Sequence, residues 1–467
     1  MYQLPKNHNY GVNPCEGCLD KQREIDRLKE ENQRLKSALR YRERKREDGP
    51  FGSSTPSSQI PFKPNSSKEN KSKMGGARRG HKGHGRSSVS EQQAERIERI
   101  CVGSNCPHCG SPLSDKGTRS RTVIDLDPVE VKKILYRLER KLCAGCGTSL
   151  QAQAPGVLPR AMLGNQLLTE ILESHYLTGV SLGRLCANYQ INIGTVIDTL
   201  HRVAALFEPL IKPLIADYRN CWVRHADETR WRTDGESGYC WLFCSPSVSL
   251  YLFRQTRSAS VAREVLGVSE LSGYLVVDRY QGYNKAPCLL QYCLAHLMRE
   301  VEDLAREYPA EEEVQLFTST LIPLLAQAQH LRQQAISDHQ YYDRAQEVKE
   351  KIMDVNKKPA LNPGIRRIQD IFLDNEARLY HWAEDRRVPA ENNYAERELR
   401  PTVIARKVSF GSQSEEGART RSILMSVLHT LRKRVKHPKR KIKEVLDYLA
   451  GGSREKIYEK MFEQDSS

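Results

Sequence analysis

Between residues 218 and 300 the apolar positions leave helical spacing and begin to alternate. This is the feature that most narrows what the chain can fold into. "NCWVRHAD" reads as a strand ending at Asp227. "GYCWLFCSP" and "SLYLFRQT" read as two more, joined by a turn at Ser245–Ser249. "SASVAREVLG" has helical spacing, "GYLVVDRY" is a buried strand ending in Asp278, and "LLQYCLAHLMREVEDLA" is a strand running into a helix.

The order strand, strand, strand, helix, strand, strand sets an acid at the end of the first strand and another at the end of the fourth. A ribonuclease-H-like fold uses that layout to bring two carboxylates together. Asp227 and Asp278 are about 50 residues apart, yet adjacent strands would set them side by side. Two carboxylates so close repel. A magnesium ion removes the conflict, since it takes few protein oxygens and keeps room for phosphate and water. Two ions about 4 Å apart activate an attacking oxygen and stabilise a leaving one.

A second ion needs a third carboxylate. "RVPAENNYAERELRPTVIARKVSFGSQSEEGARTRSILMSVLHTL" offers one: helical spacing sets Asn392 or Asn393 near an N-cap and Glu396 on the first turn. Arg397, Arg400, Arg406 and Lys407 surround it with positive charge suited to phosphates. Glu228 competes with Asp227, but on a strand it points to the other face. Glu398 competes with Glu396 and faces another direction on the helix. Asp234 and Asp303 read as surface acids.

The 467 residues exceed one core. With 73 Lys+Arg against 58 Asp+Glu, the net charge of +15 points to a polyanionic partner, DNA before an anionic membrane. No apolar run of about 18 residues suggests a spanning helix. The N-terminus lacks an apolar signal core, so a cytoplasmic protein is expected. Thirteen cysteines in so long a chain do not read as a disulfide framework.

The segments before the sheet each have a distinct character. Residues 1–18 form a tail whose Cys15 and Cys18 make a CxxC without a partner pair. In residues 19–47, Ile25, Leu28, Asn32, Leu35 and Leu39 fall at a and d heptad positions, as in a coiled coil with a register-fixing Asn. A lone solvated helix is the alternative. Residues 48–95 are a basic Ser/Pro/Gly-rich linker expected to be disordered. Its Arg78, Arg79, Lys82 and Arg86 suit a phosphate backbone. In residues 96–155, Cys106 and Cys109 pair with Cys143 and Cys146 at the spacing of a structural zinc site. The intervening "RTVIDLDPVEVKKILYRLERKLC" alternates as in a zinc ribbon.

Residues 156–215 read as a helical, helix-turn-helix-like DNA-binding domain. Asn192 and Gly194 would supply the turn and Thr195 the N-cap. Plain packing is the alternative reading. Residues 216–300 are then the first part of the catalytic core, 301–388 a helical insertion, 389–430 the completion of the core, and 431–467 a basic helical tail.

"HADETRW", "VVDRYQGYNK", "CLAHLMRE", "NNYAERELRP" and "RKVSFGSQSEEGARTRSILMSVLHTL" resemble the successive motifs of DDE transposases of the insertion sequence 66 family. The heptads, basic linker and "CPHCG…CAGCG" match that family's layout in the same order. The resemblance implies Asp227, Asp278 and Glu396 as the catalytic triad, holding two Mg2+ (or Mn2+) ions, beside a structural Zn2+. It implies a helical insertion between Asp278 and Glu396. It implies element-end and target DNA as partners, a homo-oligomer of at least two chains, helper proteins of the same element, and a nucleoid location in a bacterium or archaeon. His296 with Cys293 resembles the family's Cys-x-x-His element, with a structural or DNA-positioning role expected. The alternatives are a non-catalytic DNA-binding regulator derived from a transposase, and a ribonuclease-H-type nuclease without strand transfer.

Overall fold

The computed structural model describes residues 149–462 without a break, residues 131–142, and scattered positions at 92, 111, 112, 146 and between 20 and 36. Cys15, Cys18, Leu39, the linker cations Arg78, Arg79, Lys82 and Arg86, and Cys106, Cys109 and Cys143 lie outside the described residues. The described positions between 20 and 36 are helical, with Ile25, Leu28 and Leu35 exposed in the single chain. The chain divides into two units, residues 62–137 and the remainder.

Strands β1 (Arg140–Leu142) and β2 (Ser149–Gln151) pair antiparallel, with Cys146 exposed in the turn between them. Residues 131–139 form no strand, contrary to the expected alternation. Val131, Ile134, Leu135, Tyr136 and Leu138 are all exposed, so no buried face fixes a pleat.

Helix α1 (Asn165–Leu172) runs into a π turn (Glu173–Leu177). Helix α2 (Leu182–Tyr189) ends where Gln190 turns left-handed at φ 52°. The N-cap of α3 (Ile193–Phe207) is Asn192, whose side chain accepts the Gly194 N–H at 2.8 Å; Thr195, the expected cap, lies within the first turn. An Asx acceptor two residues back satisfies an orphan amide that Thr195 cannot reach. Helix α3 buries Val196, Leu200, Val203 and Phe207, and its outer face carries Asp198 and Arg202. Helix α4 (Ile211–Arg219) leads into the sheet.

The central sheet has five strands: β3 (Val223–Thr233), β4 (Glu236–Cys244), β5 (Ser249–Arg254), β6 (Tyr274–Val277) and β7 (Leu289–Tyr292). Their order is β5-β4-β3-β6-β7. The first three form an antiparallel meander, while β6 lies parallel to β3 and β7 parallel to β6. The β3–β4 turn is the two-residue Asp234–Gly235, both at positive φ, as a tight hairpin requires. Cys240 through Cys244 are fully buried, so β4 is covered on both faces. Asp227 does not end its strand. The pairing with β4 continues from Asp227 opposite Leu242 to Thr233 opposite Glu236, and only the parallel pairing with β6 stops near it.

Helix α5 (Ala259–Leu266) links β5 to β6. Beyond β7 the chain is helical, as expected for an insertion: α6 (Leu294–Glu307), α7 (Glu312–Leu331), α8 (Asp338–Lys357) and α9 (Pro363–Asp374), then two short turns. Ser337 and Gln340 form a capping box at α8, and Asn362 caps α9 ahead of Pro363. Helix α10 (Asn393–Ser409) packs on β3 and β4, and α11 (Glu415–Arg434) packs on β5 and α3. Helix α12 (Pro438–Ala450) returns to α1. One hydrophobic core runs from Leu158 to Phe462, so the helices before the sheet and those after it share it.

Candidate functional site

The β3–β6 register pairs Val223 with Tyr274, Arg224 with Leu275 and His225 with Val276. Asp227 lies two residues beyond the last pair on β3, and Asp278 two residues beyond it on the other side, just past the end of β6. Both are buried, at 2% and 8% exposure. Asp278 Oδ1 accepts the Tyr280 N–H at 2.9 Å. Burial, and next the negative charge of Glu228, push the Asp278 carboxyl up to about 7; the Tyr280 bond, Arg257 and Arg279 oppose this. The charge that acts most on Asp278 is thus the Glu228 carboxylate, although Asp227 lies the same two residues beyond the last pair.

Glu228 is fully buried and committed elsewhere. It accepts from Arg257 Nε at 2.9 Å and from the Tyr283 hydroxyl at 2.5 Å. The Arg257 guanidinium lies over the Tyr280 ring, 3.8 Å from its centre. This cluster fastens the segment after β6, which carries Asp278, to the segment before α5. Alternation did give Glu228 the opposite face to Asp227; its role as a buried anchor was missed, since no sequence spacing links it to Arg257 or Tyr283.

Glu396 lies in the first turn of α10, as the helical spacing indicated. The start of that helix is fixed by Asn392, which is 1% exposed. Its Nδ2 donates to the Ala226 carbonyl at 2.8 Å, its Oδ1 meets His225 Nδ1 at 2.9 Å, and its N–H donates to Cys293 Sγ at 3.1 Å. Cys293 of the Cys-x-x-His element therefore anchors Asn392. Glu398 points away: it accepts from Ser249 Oγ and pairs with Lys433, each at 3.0 Å.

Glu396 accepts from Arg299 Nη2 at 3.3 and 3.4 Å. His296 Nε2 lies 3.9 Å from Glu396 Oε1. Burial first, then Arg299 and Arg279, lower the His296 pKa to about 3, so the ring is neutral and this contact is no ion pair. Both His296 ring nitrogens are buried without a hydrogen-bond partner.

Asp227 thus lies on β3 and Asp278 directly follows its parallel neighbour β6, and the helix bearing Glu396 is docked beside Asp227. Among the described residues, no three His, Cys, Asp or Glu side chains are gathered closely enough to hold one metal ion. Arg397, Arg400 and Lys407 are exposed on α10. Arg406 is half-buried, donating to Thr229 Oγ1 at 2.8 Å and to the Arg230 carbonyl at 2.6 Å. Asp234 is exposed in the hairpin turn, and Asp303 bonds Arg306 on the surface.

Fold and site together define a mixed α/β protein whose buried sheet carries acids beside a cationic helix. The chain belongs to the IS66 transposase family: residues 160–420, more than half its length, match the family described as "Transposase IS66 family". Residues 104–147, which span all four expected zinc ligands, match the "zinc-finger binding domain of transposase IS66". Similar proteins include three uncharacterized proteins of Sinorhizobium fredii (strain NBRC 101917 / NGR234). Protein y4jD is 23% identical over 386 residues, covering 74% of this chain and 75% of the relative. Protein y4hP is 22% identical, covering 78% and 74%, and y4qI is 25% identical, covering 77% and 73%. No described helix is long and apolar enough to cross a membrane.

Proposed function

We propose that the chain is a DDE-type DNA transposase with a ribonuclease-H-like core, and that Asp227, Asp278 and Glu396 are its catalytic carboxylates. The observation that carries this reading is the parallel pairing of β3 with β6, which leaves Asp227 and Asp278 each two residues beyond its last pair. The sheet order, three antiparallel strands followed by two parallel ones, supports the core assignment. Asn392 supports the third acid, because it docks the helix bearing Glu396 one residue from Asp227.

The donors suit a hard divalent cation: they are carboxylate oxygens, and the Asp278 carboxyl is buried where its charge is costly without a cation nearby. Magnesium bound there supplies activation of the attacking oxygen and charge stabilisation of the leaving one. Asp227 and Asp278 would hold the ion. Glu396, now paired with Arg299, would join them on giving up that pair, and Arg299 would then be available to a phosphate oxygen. His296, neutral and buried, closes the floor behind Glu396. In this reading water attacks the phosphodiester at the element end, and the freed 3′ hydroxyl attacks target DNA. The chain forms no covalent link to DNA. Cys106, Cys109, Cys143 and Cys146 hold a structural zinc, and exposed Arg397, Arg400 and Lys407 face the DNA.

The test is a magnesium-dependent strand-transfer assay with the full chain and DNA carrying the element's ends, comparing wild type with Asp227→Asn. Joined product from the wild type alone supports the proposal. Cleavage without joining favours a nuclease, and binding without cleavage by either protein favours a regulator.

A further inference from the structure

The turn after α10 carries a feature that the acid site does not use. Phe410 ends the helix at φ 61°, in the left-handed region, where a bulky side chain costs on the order of 1 kcal/mol or more. Its ring is 75% exposed. Gly411 follows at φ 142°, and a Cβ there would collide with the Arg232 carbonyl. Ser412 then clamps the turn to the β3–β4 hairpin. Its N–H donates to the Arg232 carbonyl at 2.9 Å, its carbonyl accepts from Asp234 at 3.0 Å, and its hydroxyl accepts from the Trp231 indole at 3.1 Å. A strained residue is thus held rigidly while its large apolar ring faces water. The folded chain gains little burial from that arrangement, and a strained backbone held in place by its surroundings is the kind of feature found at functional sites.

Cations predominate on the two elements that the turn joins, with the exposed Asp234 of the hairpin the acid bonded to the turn itself. Arg230 and Arg232 are exposed on β3, and Arg400 and Lys407 on α10. The pKa of Arg406 is lowered by burial and next by the charge of Arg230, so two guanidiniums crowd together there. Among the described residues, none of these five cations is ion-paired with a carboxylate. An aromatic face set among unneutralised cations is the chemistry that binds single-stranded or unstacked nucleic acid.

We propose that Phe410 is a stacking platform for an unstacked DNA base, with Arg230 and Lys407 neutralising the flanking phosphates. This rests on the reading of the chain as a DNA-acting transposase and deepens it. Glu396 and Phe410 are 14 residues apart on one helix, roughly 21 Å at 1.5 Å per residue. The stacked base therefore lies about six nucleotides from the phosphodiester at the acids, at about 3.4 Å per step.

The test uses the full chain and single-stranded and duplex DNA carrying 2-aminopurine at successive positions. Wild type is expected to quench the probe at one position and to bind the single strand with a salt slope set by its cations. Phe410→Ala should abolish the quench and weaken single-strand binding by about 5- to 150-fold, with the salt slope unchanged. Phe410→Trp should keep the quench, and Phe410→Leu, which retains bulk without a π face, should lose it. Lys407→Ala should lower the slope by about 0.7 and keep the quench. Equal binding and quenching by wild type and Phe410→Ala overturns the proposal. So does a changed sedimentation coefficient in Phe410→Ala with DNA binding intact, which makes the ring a subunit contact. If wild type joins DNA in the strand-transfer assay but Phe410→Ala is indistinguishable in binding, only this proposal falls. If wild type has no affinity for DNA, the transposase reading falls with it.

Discussion

The Asn392 side-chain amide donates to the carbonyl of Ala226 at 2.8 Å, one residue short of Asp227. Through this bond the first turn of α10 and the middle of β3 are set as a unit. A helix cap and a strand carbonyl distant in sequence thereby fix the separation of two candidate catalytic acids.

Asn392→Ala removes two buried side-chain bonds at once, keeps the backbone bond to Cys293, and leaves the His225 ring without its partner. Such a loss is expected to cost about 1–3 kcal/mol of stability, read by urea denaturation. Strand transfer should fall by about 100-fold, because a displacement near 1 Å at the reacting groups is costly. Activity kept at the wild-type level would show that the cap does not position Glu396.

Arg257 and Glu228 form a buried pair, with the Arg257 side chain 13% exposed and that of Glu228 fully buried. Arg257→Met should destabilise the fold by about 3–5 kcal/mol by leaving the Glu228 charge alone. Adding Glu228→Gln should restore part of this. A double variant as unstable as the single one would refute that explanation.

Arg299→Gln removes the guanidinium that engages Glu396. The magnesium concentration giving half-maximal strand transfer should then fall, because Glu396 no longer exchanges a cation to bind metal. A rise, or no change, would place Glu396 outside the metal site. The titration is read from initial rates.

Four buried histidines set the response to acid. Burial lowers the pKa of His175, His225 and His429 to about 4 and that of His296 to about 3, from 6.5. The folded state therefore favours the neutral rings. The stability they permit is present above pH about 6.5 and is lost as pH falls toward 4, because the unfolded chain takes up protons first. Each contributes on the order of 3–5 kcal/mol on this scale. Chemical denaturation at pH 7 and pH 5 should show the loss, and His429→Gln should reduce it. Equal stability at both pH values would contradict the burial argument.

Cys146 occupies the turn between β1 and β2, within the segment that matches the family's zinc finger. Metal analysis should give one zinc per chain for the wild type and less for Cys146→Ser. DNA binding should weaken, while the melting of the sheet-containing core should be unchanged, since its hydrophobic cluster begins at Leu158. Full zinc content in Cys146→Ser would exclude the four-cysteine site.

Alternation and helical spacing were enough to find all five strands of the central sheet, the helical insertion and the first turn that carries Glu396, because these patterns mirror which side of each element is buried. They failed where burial was missing or long-range. Residues 131–139 alternate but find no buried face, and form no strand. β3 runs past Asp227 because β4 pairs with it, which a local pattern ending in charged residues does not reveal. The two helices of the expected helix-turn-helix are present, but the second packs on α11 and turns only Asp198 and Arg202 outward as charged groups.

The sequence by itself determined which acids accompany the strands and which sits in a helix's first turn, which cysteines come in pairs, and the excess of positive charge. Only the tertiary structure decided that Glu228 belongs to Arg257 and Tyr283, that Glu396 faces Arg299, and that Asn392 holds α10 to β3. The reason is physical: periodicity records the direction a side chain takes from its own backbone. The partner it meets there comes from elements tens to hundreds of residues away, and is fixed only when the core closes.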